Sequence, residues 1–321
     1  MLNATLTVRV AQKNTEAVDI DSFELVAVDG QPLPAFSAGS HVDVHLPGGL
    51  LRQYSLCNSS GENHRYQIAV LKDANSRGGS KVMHEQVNVG DELQISAPKN
   101  HFMLAHEAQR HVLLAGGIGV TPILCMAERL TATRADFEMH YCTRSAERTA
   151  FRDRIADTGL ADKVTFYFDD AVPEKKLDMA KLLAKPEAGV HLYVCGPKGF
   201  MNAVLETARS SGWNEAQLHC EFFGADVSPV ATDETFEVQV ASSGQIVTVG
   251  KEQTILDALA AAGVEILSSC EQGVCGTCLT RLIEGVPDHR DMYLTPEEQA
   301  ANDQFLPCCS RSKSARLVLD I

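Results

Sequence analysis

Long apolar runs are missing from this sequence. No stretch approaches the roughly 18–20 consecutive apolar residues that a membrane span requires, so no membrane role is expected. Tryptophan occurs once, aromatic residues make up 6% of the chain and the mean hydropathy is -0.08, as in an ordinary soluble protein. Positive charge is also short. Against 42 Asp and Glu stand 28 Lys and Arg, a net charge of -14. Nucleic acid and anionic lipid both need basic patches, so neither is an expected partner. The acidic excess serves solubility or offers a docking face to a basic partner. The opening "MLNATLTVRVAQKN" alternates like a strand and lacks a basic head followed by a long apolar stretch. No signal peptide is read there, and a cytoplasmic location is expected.

What is present is cysteine, ten in all. In a cytosolic chain these are reduced, buried or metal-bound by default rather than paired as disulfides. Cys57, Cys125, Cys142, Cys195 and Cys220 lie scattered among apolar neighbours and read as small core residues. Three others crowd into "SSCEQGVCGTC", Ser268 to Cys278. Cys270, four residues, Cys275, two residues, Cys278, and then Cys308 after a 29-residue gap is the plant-type spacing for a 2Fe-2S cluster. Structural zinc instead takes two Cys-x-x-Cys pairs, or one pair with histidines. The gap favours Cys308 as fourth ligand over its neighbour Cys309. Gly273 and Gly276 let the loop wrap closely and aim amides at the negative cluster.

Length, 321 residues, allows two or three domains. Residues 1–105 read as short strands between Gly, Pro, Asn and Asp turns, the pattern of a small antiparallel β-barrel. Residues 106–226 alternate strands with helices, which implies a parallel sheet covered on both faces. The stretch "ADVSPVATDET" is polar and carries a proline, and 227–235 reads as a linker. Residues 236–321 open with a hairpin and a helix before the cysteine loop.

A 2Fe-2S cluster takes one electron at a time, so something upstream must deliver electrons. "AGGIGVTP", Ala115 to Pro122, joins a buried strand to a helix, with Thr121 as a candidate N-cap and Pro122 as first helical residue. Its glycines admit a pyrophosphate and the helix N-terminus favours an anion. Proline stands where the full dinucleotide fingerprint has its third glycine. A second turn, "CGP" at Cys195 to Pro197, follows another buried strand, and two such turns frame a nucleotide crevice. Nicotinamide gives up two electrons as hydride, and a flavin is the converter that releases them singly. The barrel offers "RQYSLCN": Arg52 for phosphate, Tyr54 to stack on the ring, and Ser55, on the other strand face, to reach a ring nitrogen. "SRGGSK", Ser76 to Lys81, with Gly78, Gly79 and Ser80, suits a terminal phosphate.

Taken in order, "RQYSLCN", "RGGS", "AGGIGVTP", "YVCGP", "EFFGA", "SSCEQGVCGTC", "DHRDMYL" and "CCSRSKSARLVLDI" resemble the phthalate dioxygenase reductase family of the ferredoxin–NADP reductase superfamily. The resemblance covers essentially the whole chain. It implies an antiparallel flavin-binding β-barrel, a parallel-sheet nucleotide-binding α/β domain and a C-terminal β-grasp ferredoxin domain. It also implies FMN, NADH as donor, and a Rieske-type terminal oxygenase as acceptor in aromatic catabolism. By the same resemblance Arg52, Tyr54, Ser55, Leu71, Lys72, Gly78, Gly79 and Ser80 hold the flavin. Gly117, Gly119, Thr121, Thr143, Arg144, Cys195, Gly196 and Pro197 form the nicotinamide side. Thr121, Cys195 and Phe223 stand nearest the reacting groups, and Cys270, Cys275, Cys278 and Cys308 bind the cluster.

For the nucleotide, Arg144 and Arg148 could meet a 2'-phosphate, whereas acidic Asp169 and Asp170 would repel it, and NADH is favoured. The segment Phe236 to Ile321 carries 12 acidic and 6 basic residues, net -6, in keeping with an acidic docking face. A monomer is expected, since that face must stay free. Two other readings stay open: a reductase serving a di-iron or P450-type oxygenase, and a ferredoxin-like carrier without NADH oxidation of its own.

Overall fold

The computed structural model describes residues 5–74, 78–224, 233–268 and 270–321. Positions 225–232, most of the expected linker, lie outside the described residues, as do Ser76 and Arg77 of the expected phosphate turn. The chain divides into two units, Met1–Glu221 and Phe222–Ile321. The sequence "EFFGA" therefore straddles the division.

The first unit begins with seven strands: β1 (Thr5–Ala17), β2 (Ile20–Ala27), β3 (Ser40–Leu46), β4 (Leu50–Ser55), β5 (Tyr66–Leu71), β6 (Glu92–Ser96) and β7 (Lys99–Asn100). Their order is β4-β3-β6-β1-β2-β5, all antiparallel, with β7 beside β3. A bridge between Leu56 and Ile68 joins the two ends and closes the barrel. Alternating strands send Val8, Val10, Phe23, Leu25, Val42, Val44 and Ile95 inward. Helix α1 (Gly79–Gln86) covers one end. Lys13 Nζ caps its C-terminus by donating to the carbonyls of His84 (2.7 Å) and Val87 (3.0 Å).

Five parallel strands follow: β8 (Arg110–Gly116), β9 (Asp136–Thr143), β10 (Val164–Phe168), β11 (Val190–Cys195) and β12 (Leu218–Glu221), in the order β10-β9-β8-β11-β12. The central pair, β8 and β11, is buried almost throughout, as parallel strands covered on both faces must be. Helices α2 (Val120–Thr133), α3 (Arg152–Asp157), α4 (Met179–Leu183) and α5 (Lys198–Ser210) complete the layers. One apolar core joins barrel residues Ile20, Ala38, Cys57, Ala69 and Phe102 to Leu113, Ile123, Leu124 and Tyr193 of the α/β part. That shared core explains why the two parts form a single unit. The expectation that all five scattered cysteines are core residues fails at Cys220, which is exposed on edge strand β12, and at half-buried Cys142. An edge strand has no neighbour to cover its outward side chains.

The second unit holds β13 (Phe236–Val240), β14 (Ile246–Val249), α6 (Ile255–Ala261), β15 (Thr280–Glu284), β16 (Pro287–Asp288), α7 (Pro296–Ala301), β17 (Gln304–Phe305), β18 (Arg311–Ser312) and β19 (Arg316–Leu319). Its sheet runs β14-β13-β19-β15-β17, with β13 and β19 parallel and the other pairs antiparallel, while β16 and β18 form a separate ribbon. Capping boxes start both helices, Thr254 with Asp257 and Thr295 with Glu298. No helix among the described residues is long and apolar enough to cross a membrane.

Candidate functional site

At the flavin end, the position a Cβ would take on Gly79 lies 2.6 Å from Arg52 Cγ and 2.7 Å from its Nε. The Arg52 side chain thus lies across the first turn of α1, and only glycine leaves it room. Gly78 caps that helix at φ 94°, a left-handed conformation that glycine adopts without strain. A guanidinium over exposed helix amides is a fit for a phosphate. Ser80 Oγ accepts from the Asp73 amide at 3.2 Å, and Lys72 pairs with Glu85 at 3.0 Å. Leu71 ends β5, half-buried. Burial raises the Tyr54 hydroxyl pKa.

The nucleotide crevice lies where the sheet order reverses, between β8 and β11, the switch point at which open α/β sheets bind ligands. A Cβ on Gly119 would lie 2.2 Å from the Cys195 carbonyl oxygen, and one on Gly196 would lie 2.9 Å from Gly116 Cα. The two glycine turns therefore pack backbone against backbone. Their Cβ sides are closed by the protein. Gly117, at φ 52°, alone in this pair of turns opens onto free space. Pro197 caps α5. Thr121 is not the N-cap expected from the sequence. Gly119 is, and Thr121 lies inside the first turn with its hydroxyl donating back to the Ile118 carbonyl at 3.1 Å. Pro122 accordingly is the third helical residue, not the first. Thr143 is buried and hydrogen-bonded to Thr149 at 2.7 Å, while Arg144 is exposed beside it. Arg148 is held by Asp19 at 3.0 Å. Phe223 falls in the second unit and is 40% exposed.

Sequence reasoning assigned no role to Glu221. It ends β12 beside Cys195, its register partner on β11. Ser55 Oγ donates to its Oε2 at 3.1 Å, and His41 Nδ1 lies 4.0 Å from its Oε1. Burial pushes the carboxyl up to about 7, with the Ser55 hydrogen bond opposing. Cys195 is fully buried, and burial together with the Glu221 charge raises its thiol well above the ordinary value, so it stays neutral. The serine, the cysteine and the carboxyl group thus converge from the barrel and the sheet. "EFFGA" contained the glutamate, but its partner Ser55 lies 166 positions away.

In the second unit Cys270 lies beside Cys275, and Cys278 beside Cys308, which Cys309 also meets. The Gln272 amide donates to the Cys270 sulfur at 3.3 Å, and the Gly273 amide donates to that of Cys308. Cys309 Sγ faces the Leu306 carbonyl at 3.7 Å and Ser310 Oγ at 3.9 Å. Among the described residues, no three His, Cys, Asp or Glu side chains converge on a point that could hold a single ion. Two sulfurs for each of two irons is the donor set a 2Fe-2S cluster takes. A second loop walls this cradle: Met292 N donates to Gly273 O at 2.9 Å, and the Tyr293 ring covers Gly276, where a Cβ would lie 2.3 Å from it.

Residues 238–313 match the model of the 2Fe-2S iron-sulfur cluster binding domain, and residues 95–218 that of the dimethylamine monooxygenase subunit DmmA-like N-terminal domain. A solved phthalate dioxygenase reductase, described as a modular structure for electron transfer from pyridine nucleotides to a 2Fe-2S centre, superposes with a TM-score of 0.82 at 39% identity, covering 99% of this chain and 98% of that one. The chain belongs to the phthalate dioxygenase reductase family. A vanillate O-demethylase oxidoreductase from Pseudomonas putida is 56% identical over 97% of this chain and 98% of its own length. The reductase fold also matches an intact type IV self-sufficient cytochrome P450 monooxygenase, at TM-score 0.79 and 39% identity over 99% of this chain and 41% of that one. Like its family, the chain is an oxidoreductase, the electron-transfer reductase of an oxygenase system, and it carries a C-terminal 2Fe-2S domain.

Proposed function

We propose that the chain passes electrons from NADH through FMN to its 2Fe-2S cluster and on to a Rieske-type terminal oxygenase. The observation that carries this is the convergence of Cys270, Cys275, Cys278 and Cys308 at plant-type spacing, a one-electron site, in the same chain as a nucleotide crevice. When bound, the flavin supplies the step from paired to single electrons. The functional parts are 1–105, 106–226, the linker 227–235, and 236–321.

On the barrel, Arg52, Gly78, Gly79 and Ser80 hold the flavin phosphate, and Leu71 and Lys72 line its approach. Tyr54 and Ser55 meet the ring. Gly117, Gly119, Cys195, Gly196 and Pro197 seat the dinucleotide, with Thr121 and Cys195 toward its nicotinamide and Thr143 and Arg144 toward its far end. Glu221, its carboxyl raised to about 7 by burial, accepts a hydrogen bond from Ser55 Oγ. NADH is favoured over NADPH because Arg148 is already paired with Asp19 while Asp169 and Asp170 flank the tip of β10. For the acceptor, exposed Leu267, Met292 and Tyr293 near the cysteine loop offer an apolar patch on a domain of net charge -6. The identity to a vanillate O-demethylase oxidoreductase supports an oxygenase partner of that kind. The P450 likeness favours a second reading, in which the acceptor is a haem oxygenase.

Anaerobic NADH is expected to bleach the visible bands of the holoprotein and raise the EPR signal of a reduced cluster, with NADPH much slower. A protein left oxidised by both nucleotides sinks the reading. Mixing the reduced protein with a purified Rieske oxygenase and, separately, a P450 decides the acceptor.

A further inference from the structure

Oxidation of NADH by one-electron carriers yields NAD+, two electrons and one proton. The electrons leave through the cluster, and the proton has to leave the buried site by another way. Resting on the function proposed above, we infer that His41 and His101 form that way out, taking the proton from Glu221 to solvent.

Three links stand in line. Glu221 uses one carboxyl oxygen on Ser55 and turns the other toward His41 Nδ1, 4.0 Å away. That gap closes with a small side-chain rotation. His41 is 6% exposed, and its Nε2 has no hydrogen-bond partner. Its ring lies 5.5 Å from that of His101, tilted by 32°, and His101 is exposed. The register fixes this order: His41 of β3 stands opposite Ser55 of β4 on one side and Lys99 of β7 on the other, two positions before His101.

The unpartnered nitrogen is the telling feature. A buried ring nitrogen without a partner costs about 1–3 kcal/mol, and buried polar groups in folded proteins are nearly always paired. Among buried histidines with an unpartnered ring nitrogen, His41 is set apart by having Glu221 on one side and exposed His101 on the other. The other charged groups around the pair are already engaged. Asp43 accepts from Lys99 at 2.6 Å and from Gln53 at 2.7 Å, one bond on each oxygen, and Cys195 stays a neutral thiol. Cys220, the remaining titratable neighbour of Glu221, is exposed on the edge strand. Burial, reinforced by His101, holds His41 down at about 4, so its imidazole rests neutral and holds a proton only in passing. Glu221 near 7 and His41 near 4 lie about a thousandfold apart in acidity.

The test follows proton release from the full-length holoprotein in weakly buffered, anaerobic solution. NADH is supplied with ferricyanide as acceptor, and an indicator dye reports the proton. In the wild type the proton appears together with ferricyanide reduction. His41→Leu is expected to delay it by about tenfold or more, with recovery when free imidazole is added. His101→Gln, a surface change that keeps the fold, is expected to make the release rate rise with buffer concentration. Proton release at the wild-type rate in both variants, insensitive to buffer, overturns the exit while leaving the proposed function standing. A wild-type protein that NADH does not bleach overturns both.

Discussion

At the scale of single residues, the chemistry concentrates on groups the fold forces into an unusual protonation state. Glu221 has its carboxyl raised from 4.5 to about 7 by burial, so the folded state binds its proton more tightly than the unfolded chain. Its stabilising contribution is complete below about pH 4.5 and is lost as pH rises through about 7. His41 runs the other way. Lowered from 6.5 to about 4, it favours the fold above pH 6.5 and loses that contribution as pH falls toward 4. Glu221→Gln removes only the first effect. Its stability relative to wild type is expected to climb from about pH 4.5 to about 7 and then level off, by up to about 3 kcal/mol; urea unfolding at a series of pH values measures it. A flat difference would mean that Glu221 ionises normally. In the sequence, the 2Fe-2S domain was legible because a metal site built largely on one loop writes its spacing into the chain. Glu221 was not, because its burial and its bond to Ser55 exist only once distant strands meet. Thr121 looked like a helix cap by residue type, yet the preceding turn had already begun the helix at Val120.

At the scale of elements, the two glycine turns act as one part. Gly119→Ala would place a methyl group 2.2 Å from the Cys195 carbonyl oxygen, and backbone cannot yield there as a side-chain tip can. The expected result is a loss of roughly 1–3 kcal/mol in stability and a raised KM for NADH, with flavin content kept because Arg52 and α1 lie on the barrel. Unchanged stability and KM would mean that the turns are looser than their contact implies. Strand–turn–helix alternation made this region readable, since a buried parallel strand leaves an apolar run and its turn leaves glycines. The second half of the ferredoxin unit was harder. The elements β15, β16, α7 and β17 span two to six residues each, too short for periodicity to show, and are fixed by pairing and by the Thr295–Glu298 capping box.

At the scale of the whole molecule, the division after Glu221 separates the nucleotide and flavin site from the cluster. Cys275→Ser is therefore expected to lose or damage the cluster while NADH-driven ferricyanide reduction by the flavin part stays largely intact and reduction of an oxygenase partner disappears. Loss of all ferricyanide activity would show that the first unit depends on the cluster to fold. The order of the parts was legible because each carries its own motif, and the acceptor was not, since a docking face needs only surface charge and a few apolar side chains. One feature bears on how such a protein can be taken apart. Asp233 is buried, bonded to Arg290 (3.1 Å to Nη1) and 3.6 Å from Arg311 Nε, and the Arg290 amide in turn meets Ser310, two positions past Cys308. Anyone splicing this ferredoxin module onto a different donor should join the chains before that aspartate, because a graft beginning after it would leave buried Arg311 without its carboxylate and half-buried Arg290 with Asp288 alone.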